Sequence, residues 1–272
     1  MDEQTISVGG QDISYLGSQG GGRSVVFLHG NSCSARTWRP LLEGSFGRRF
    51  RCLALDLPGH GHSARAADYA QYSLPGYAAI LAGFAESLDA ANAVVVGWSL
   101  GGHIALEAAP AMPAVPGFVI FGTPPVRSAD QLSQAFLPTP ALGVGFTEVI
   151  SEDAARSLAA SFTAPGSTLS LDEFVADILA TDGAARASIF ASVQEGRFAD
   201  ELAIIARLRQ PLAILHGEGE QLANLDYIRG LTIPSLWRGE VQLIADAGHA
   251  PHQETPVQFA ELLEQFIAEL DD

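Results

Sequence analysis

Apolar residues along this chain fall into two kinds of run. Short runs that do not alternate with polar residues occupy 25–28, 53–55, 94–96, 118–121, 212–215 and 241–244. A strand covered on both faces has this composition, because neither set of its alternating side chains meets water. Between these runs lie stretches with helical spacing. Tyr77, Ile80, Leu81, Phe84 and Leu88 share one face, and Phe259, Leu262, Leu263, Phe266, Ile267 and Leu270 share another. The alternation of strand and helix predicts right-handed crossovers and a doubly wound, mostly parallel sheet of the α/β class. Residues 5–8 and 13–16 flank Gly9-Gly10-Gln11-Asp12 and predict an antiparallel hairpin at one sheet edge.

One interval breaks the rhythm. From 124 to about 209 no strand-like run intervenes, while Leu132, Phe136, Leu137, Leu142, Val144, Phe146 and Phe162 supply scattered apolar side chains. The chain is therefore expected to divide into a core of 1–124 and 210–272 and a helical lid insertion of 125–209 that caps a site near the strand ends. Phe136 and Phe162 are its candidate substrate contacts. No internal repeat is present, and the only low-complexity feature is Gly20-Gly21-Gly22.

Charge and composition narrow the chemistry. All 15 basic residues are arginine, so lysine Schiff-base catalysis and the lysine-dependent phosphate loop are excluded. A formal net charge of −16 opposes nucleic-acid backbones and anionic membranes and leaves a neutral small molecule as the expected partner. The two cysteines, Cys33 and Cys52, are too few for a disulfide framework and fit reduced thiols. The acidic start Met1-Asp2-Glu3-Gln4 does not read as a secretory signal, and no apolar run approaches membrane-spanning length, so a cytoplasmic location is expected.

The candidate chemistry centres on Gly97-Trp98-Ser99-Leu100-Gly101-Gly102, between the apolar run 94–96 and a helix-like stretch 102–109. A G-x-S-x-G sequence at a strand-to-helix junction forces its serine into a strained turn and lifts the hydroxyl clear of the backbone. Leu100 then opens the helix, so its N–H and the positive end of the helix dipole lie where an oxyanion would form beside Ser99. The second oxyanion donor is expected in the loop after the first core strand, His29-Gly30-Asn31-Ser32, at the N–H of Asn31, with Gly30 beside the substrate. Trp98 is expected to pack beneath the turn, its ring edge a candidate for the pocket wall. Cys33, with no activating base beside it, reads as inert.

A serine hydroxyl needs a base, and the base needs an acid to hold its tautomer. Of seven histidines, His249 follows the run 241–244 by a short loop and so lies at a strand's carboxyl end, the edge where Ser99 also sits. His252 is the local rival, expected to face solvent. His103 sits one turn beyond Ser99 and reads as a helix-packing residue. His60 and His62 belong to the Pro- and Gly-rich turn 56–63, and His29 and His216 close strands; all four read as structural. For the acid, Gly217-Glu218-Gly219-Glu220 follows the run 212–215. Glu220 is preferred for its distance beyond the strand-end glycine, with Glu218 the alternative; Asp246 is too close to His249 in sequence. No clustered metal-ligand spacing is present, so neither cofactor nor metal is expected.

Taken together, His29-Gly30-Asn31, the turn 56–63, the serine motif and Gly248-His249 resemble the α/β-hydrolase superfamily, in the expected order and over nearly the whole chain. More narrowly, residues 97–106, Gly122-Thr123-Pro124-Pro125-Val126, Thr181-Asp182-Gly183 and Ala247-Gly248-His249-Ala250-Pro251 resemble the metal-independent N-acyl homoserine lactonases of that fold. The resemblance implies an α/β-hydrolase fold, opening of the lactone ring of quorum-sensing signals (quorum quenching) and a glutamate as triad acid, carried onto Glu220. The acid loop departs from the family in having no proline after Glu220, and the insertion has no tyrosine. A carboxylesterase with the same catalytic triad, or a signal receptor with little turnover, are the alternatives. Dehalogenase and epoxide hydrolase chemistry is disfavoured, since those enzymes place a carboxylate where this chain has Ser99.

Overall fold

The protein is described here by a computed structural model covering residues 3–270; Met1 and Asp2, the first two residues of the acidic start, and Asp271 and Asp272 lie outside the described residues. Eight strands form one sheet: β1 (Glu3–Val8), β2 (Gln11–Gly17), β3 (Ser24–Leu28), β4 (Arg51–Leu55), β5 (Val94–Trp98), β6 (Phe118–Phe121), β7 (Leu212–Gly217) and β8 (Gln242–Ile244). Their spatial order is β1-β2-β4-β3-β5-β6-β7-β8. β1 and β2 are the expected antiparallel edge hairpin, and β2 meets β4 antiparallel; β4, β3, β5, β6, β7 and β8 run parallel.

The first five non-alternating runs become strands whose two side-chain sets enter two different cores, whereas β8 is an edge strand that buries Ile244 and leaves Leu243 exposed. In β3, Val26 and Leu28 pack with Tyr77, Leu81 and Phe84, whereas Val25 and Phe27 pack on the opposite face with Trp38, Phe259 and Phe266. The helix Leu74–Ser87 covers the first face and the helix Pro256–Glu269 the second. The first starts where Ser73 accepts a hydrogen bond from the Gly76 N–H, the usual service of a serine to unpaired helix N–H groups. On the second helix Phe259, Leu263, Phe266 and Ile267 are buried.

Residues 125–209 contain no strand. They fold into the helices Leu132–Ala135, Pro140–Val144, Glu152–Ala160, Asp172–Ala180, Gly183–Gln194 and Glu201–Arg207. Leu158, Phe162, Phe174 and Ile178 from this stretch join the same apolar cluster as Trp98 of β5. After β3 the chain crosses to β4 on one side and later returns to β5 on the other. The loops after β3 and β5 therefore flank the point where the sheet reverses its winding, where parallel sheets leave a crevice at the carboxyl ends of their strands. Among the described residues no helix is long and apolar enough to cross a membrane.

Candidate active site

Ser99 follows β5 directly and is the residue before the helix Leu100–Ala108. Its backbone has φ 52° and ψ −116°, a conformation that side-chain-bearing residues rarely adopt. The turn is held by the Ser99 N–H donating to the Phe121 carbonyl at 2.8 Å and by the Thr123 hydroxyl donating to the Ser99 carbonyl at 2.8 Å. Gly97 is required by proximity: a Cβ there would lie 2.4 Å from the Gly101 carbonyl oxygen, so any side chain would push strand and helix apart. Leu100 begins the helix, and its N–H has no carbonyl one turn earlier within the helix to bond.

His249 and Glu220 reach the same edge from β8 and β7. The two carboxylate oxygens of Glu220 lie 3.0 and 2.8 Å from His249 Nδ1, and both side chains are almost fully enclosed. Burial by itself would raise the Glu220 pKa. The charge and hydrogen bond of His249, the Leu222 N–H and His216 outweigh it and leave the group below the ordinary carboxylate range. An ionised carboxylate only accepts, so Nδ1 of His249 carries the proton and Nε2 is left free to act as a base. Glu218, the alternative acid, is exposed. Asp246 occupies a left-handed turn position with φ 55°.

Ser99 and His249 line one cavity of about 470 Å³, together with Gly30, Asn31, Trp98 and Leu100. Its walls are mostly apolar. Of the apolar residues singled out in the insertion, Leu132, Phe136, Leu137, Leu142, Phe146 and Phe162 face this cavity, and Val144 does not. The Asn31 amide donates to the Gly145 carbonyl at 2.7 Å, tying the loop after β3 to the insertion. That loop is also braced from within: His29 lies between the Gly30 carbonyl, 2.8 Å from Nδ1, and the Leu57 N–H, which donates to Nε2 at 3.0 Å.

Trp98 is fully buried and belongs to both settings expected of it. Its ring packs against Phe162, Phe174 and His249, and it also lines the cavity.

Two histidines differ from expectation. His252 does not face solvent. Its ring is fully buried between Trp38 and Trp98, at centroid distances of 4.5 and 4.7 Å, and Nε2 lies 2.7 Å from the Thr37 hydroxyl. The short helix Pro251–Glu254 turns back into the second core, which the local sequence does not disclose. His103 does more than pack: it lines the cavity and pairs with Glu201, Nδ1 to Oε1 at 2.8 Å. Glu201, Leu74, Ile189, Phe190, Phe198 and Leu222 also line the walls without belonging to any motif. The apolar spacing of the helix Gly183–Gln194 is a signal for Ile189 and Phe190; Glu201, Leu74, Phe198 and Leu222 carry none. Cys33 and Cys52 are buried free thiols, their pKa values raised by burial.

The sequence profile of the alpha/beta hydrolase family matches residues 25–262. Among solved structures, a serine-to-glycine variant of the N-acyl homoserine lactonase AidH, complexed with N-hexanoyl homoserine lactone, superposes with a TM-score of 0.95 at 34% identity, covering 99% of this chain and 98% of that one. Pimeloyl-[acyl-carrier protein] methyl ester esterase of Methylococcus capsulatus is 29% identical over 260 residues, 93% of this chain and 98% of that protein. The likeness to a putative aryl esterase from Burkholderia cenocepacia, with a TM-score of 0.82 at 21% identity and 99% of each chain covered, is one of fold.

Proposed function

Because the chain belongs to the alpha/beta hydrolase family, we propose that it is a serine hydrolase acting on ester bonds and that its substrates are N-acyl homoserine lactones, whose ring it opens. The observation that carries this reading is the likeness to AidH, which extends over 99% of the chain and so includes the insertion, the part that supplies most of the cavity wall. A glutamate-to-glycine variant of AidH with N-hexanoyl homoserine is equally similar, with a TM-score of 0.94. In this chain Glu220 lies against His249 Nδ1, and Ser99 lines the same cavity as His249.

In the proposed reaction His249 Nε2 takes the proton from Ser99 Oγ as the oxygen attacks the lactone carbonyl carbon. The oxyanion that forms is held by the N–H groups of Leu100 and Asn31. The ring C–O bond breaks, and the leaving alkoxide takes the proton from His249. The resulting acyl-enzyme carries its leaving hydroxyl on a tether. Water then adds to the acyl carbon, giving its proton to His249, and the C–O bond to Ser99 breaks with return of that proton. The product is the N-acyl homoserine acid. Glu220 keeps the proton on Nδ1 throughout and balances the imidazolium. Trp98, Phe162, Phe136 and Gly30 form the apolar surroundings of the acyl part, and residues 125–209 act as the lid.

A second reading, hydrolysis of a linear ester such as a methyl ester, draws on the likeness to the Methylococcus esterase. Mass spectrometry of a panel of N-acyl homoserine lactones and methyl esters of the same acids separates the two. Addition of one water to the lactones at the higher kcat/KM supports the lactonase; turnover confined to the methyl esters overturns it.

A further inference from the structure

The cavity holds a second histidine–glutamate pair that the proposed reaction does not use. His103 and Glu201 are, with His249, the only titratable side chains lining the cavity among the described residues. Glu201 is wholly enclosed. One of its oxygens lies 2.8 Å from His103 Nδ1 and the other accepts the Val126 N–H at 2.7 Å. The His103 ring is partly open, stands 6.3 Å from the Phe136 ring, and has no partner at Nε2 among the described residues.

A buried carboxylate that holds Nδ1 leaves Nε2 as the ring's available polar atom, in a cavity whose lining is otherwise mostly apolar. Resting on the lactonase reading above, we propose that His103 is a specificity-determining residue that binds a hydroxyl on the acyl chain, with Glu201 as its positioning partner. The spacing fits. His103 lies four residues beyond Ser99 in the helix that Ser99 precedes, and its N–H donates to the Ser99 carbonyl at 3.3 Å, so the two residues stand one helical turn, about 6 Å, apart. Five chain bonds separate the reacting lactone carbonyl carbon from the third carbon of the acyl chain, an extended reach of about 6 Å. A hydroxyl matches the site in either ring form, because neutral imidazole accepts at Nε2, imidazolium donates there, and a hydroxyl does both.

The test compares kcat/KM for N-octanoyl and N-(3-hydroxyoctanoyl) homoserine lactone in the native protein, in His103→Leu, and in the double variant His103→Leu/Glu201→Gln. The double variant removes the unpaired carboxylate while keeping an acceptor for Val126. The ratio of hydroxylated to plain substrate is expected to fall about tenfold in both variants, the value of one buried hydrogen bond. The same ratio taken from dissociation constants in a Ser99→Ala background is expected to fall alike. An unchanged ratio, with both lactones slowed together, overturns the subsite and leaves a purely structural pair, while the lactonase reading stands. Failure of the native protein to open either lactone overturns both.

Discussion

The indole N–H of Trp98 donates to the main-chain carbonyl of His249 at 2.7 Å. Trp98 immediately precedes Ser99, so the side chain beside the proposed nucleophile holds the backbone of the proposed base across 151 residues of sequence. Phe at this position keeps most of the apolar contact and removes the donor. Trp98→Phe is expected to cost about 1 kcal/mol of stability, since the His249 carbonyl loses a buried partner. It is also expected to lower kcat by about tenfold or more, because catalytic geometry is sensitive to shifts below 1 Å. Urea denaturation and steady-state assays on a chromogenic ester check the pair of effects, and an unchanged kcat would remove Trp98 from the support of His249.

Ser99→Ala is expected to abolish turnover while leaving the melting temperature within a few degrees of native, since both side chains bear the same backbone strain at φ 52°. Turnover in this variant would overturn the mechanism.

Glu220→Gln is expected to reduce kcat by about 10³- to 10⁴-fold through the wrong tautomer of His249, and Glu218→Gln to have little effect at its exposed position. The reverse ranking would move the acid to Glu218.

Stability is expected to fall as the pH drops below 6.5. Burial pushes the pKa of His29 from 6.5 down to about 4, partly offset by the Gly30 carbonyl. Burial, with a further contribution from His29, takes His60 down to about 3, against the Pro58 carbonyl and Asp182. Their rings lie 5.1 Å apart. Both folded-state values lie below the unfolded one, so the unfolded chain binds more protons below pH 6.5. The stabilisation is complete above 6.5 and is lost as the pH falls toward 4 for His29 and toward 3 for His60. The shift amounts to about 3 kcal/mol for His29 and about 5 kcal/mol for His60. Urea midpoints measured between pH 7.5 and 4 read the slope, and His60→Gln is expected to flatten it; a flat native profile would contradict neutral burial of the two rings.

When a lactone opens, the leaving hydroxyl stays attached to the acyl-enzyme, and re-closure competes with water at an effective molarity that reaches about 10⁵ M for well-placed groups. The insertion is expected to hold the chain so that this hydroxyl swings away. Shortening the segment between Phe136 and Phe162 should therefore lower kcat/KM for a lactone more than for a linear ester of the same acid. Equal losses would deny the lid this role.

The doubly wound sheet was legible because strands covered on both faces have no polar alternation, a property of each run that needs no partner to be read. The serine turn was legible for a related reason: the close approach that requires Gly97 is to Gly101, within one strand–turn–helix unit. The choice between Glu220 and Glu218 rested on spacing and on the family resemblance, and only the loop after β7 turns Glu220 inward to His249 and leaves Glu218 outside. His252 and His103 depended wholly on tertiary structure. Each stands in a short helical stretch whose environment is supplied by residues far along the chain, Thr37 and Trp98 for one and Glu201 for the other. Local pattern reports which face of an element is apolar. What that face meets, and whether a polar atom there finds a partner, is set by elements that come together only when the sheet closes the distance between them.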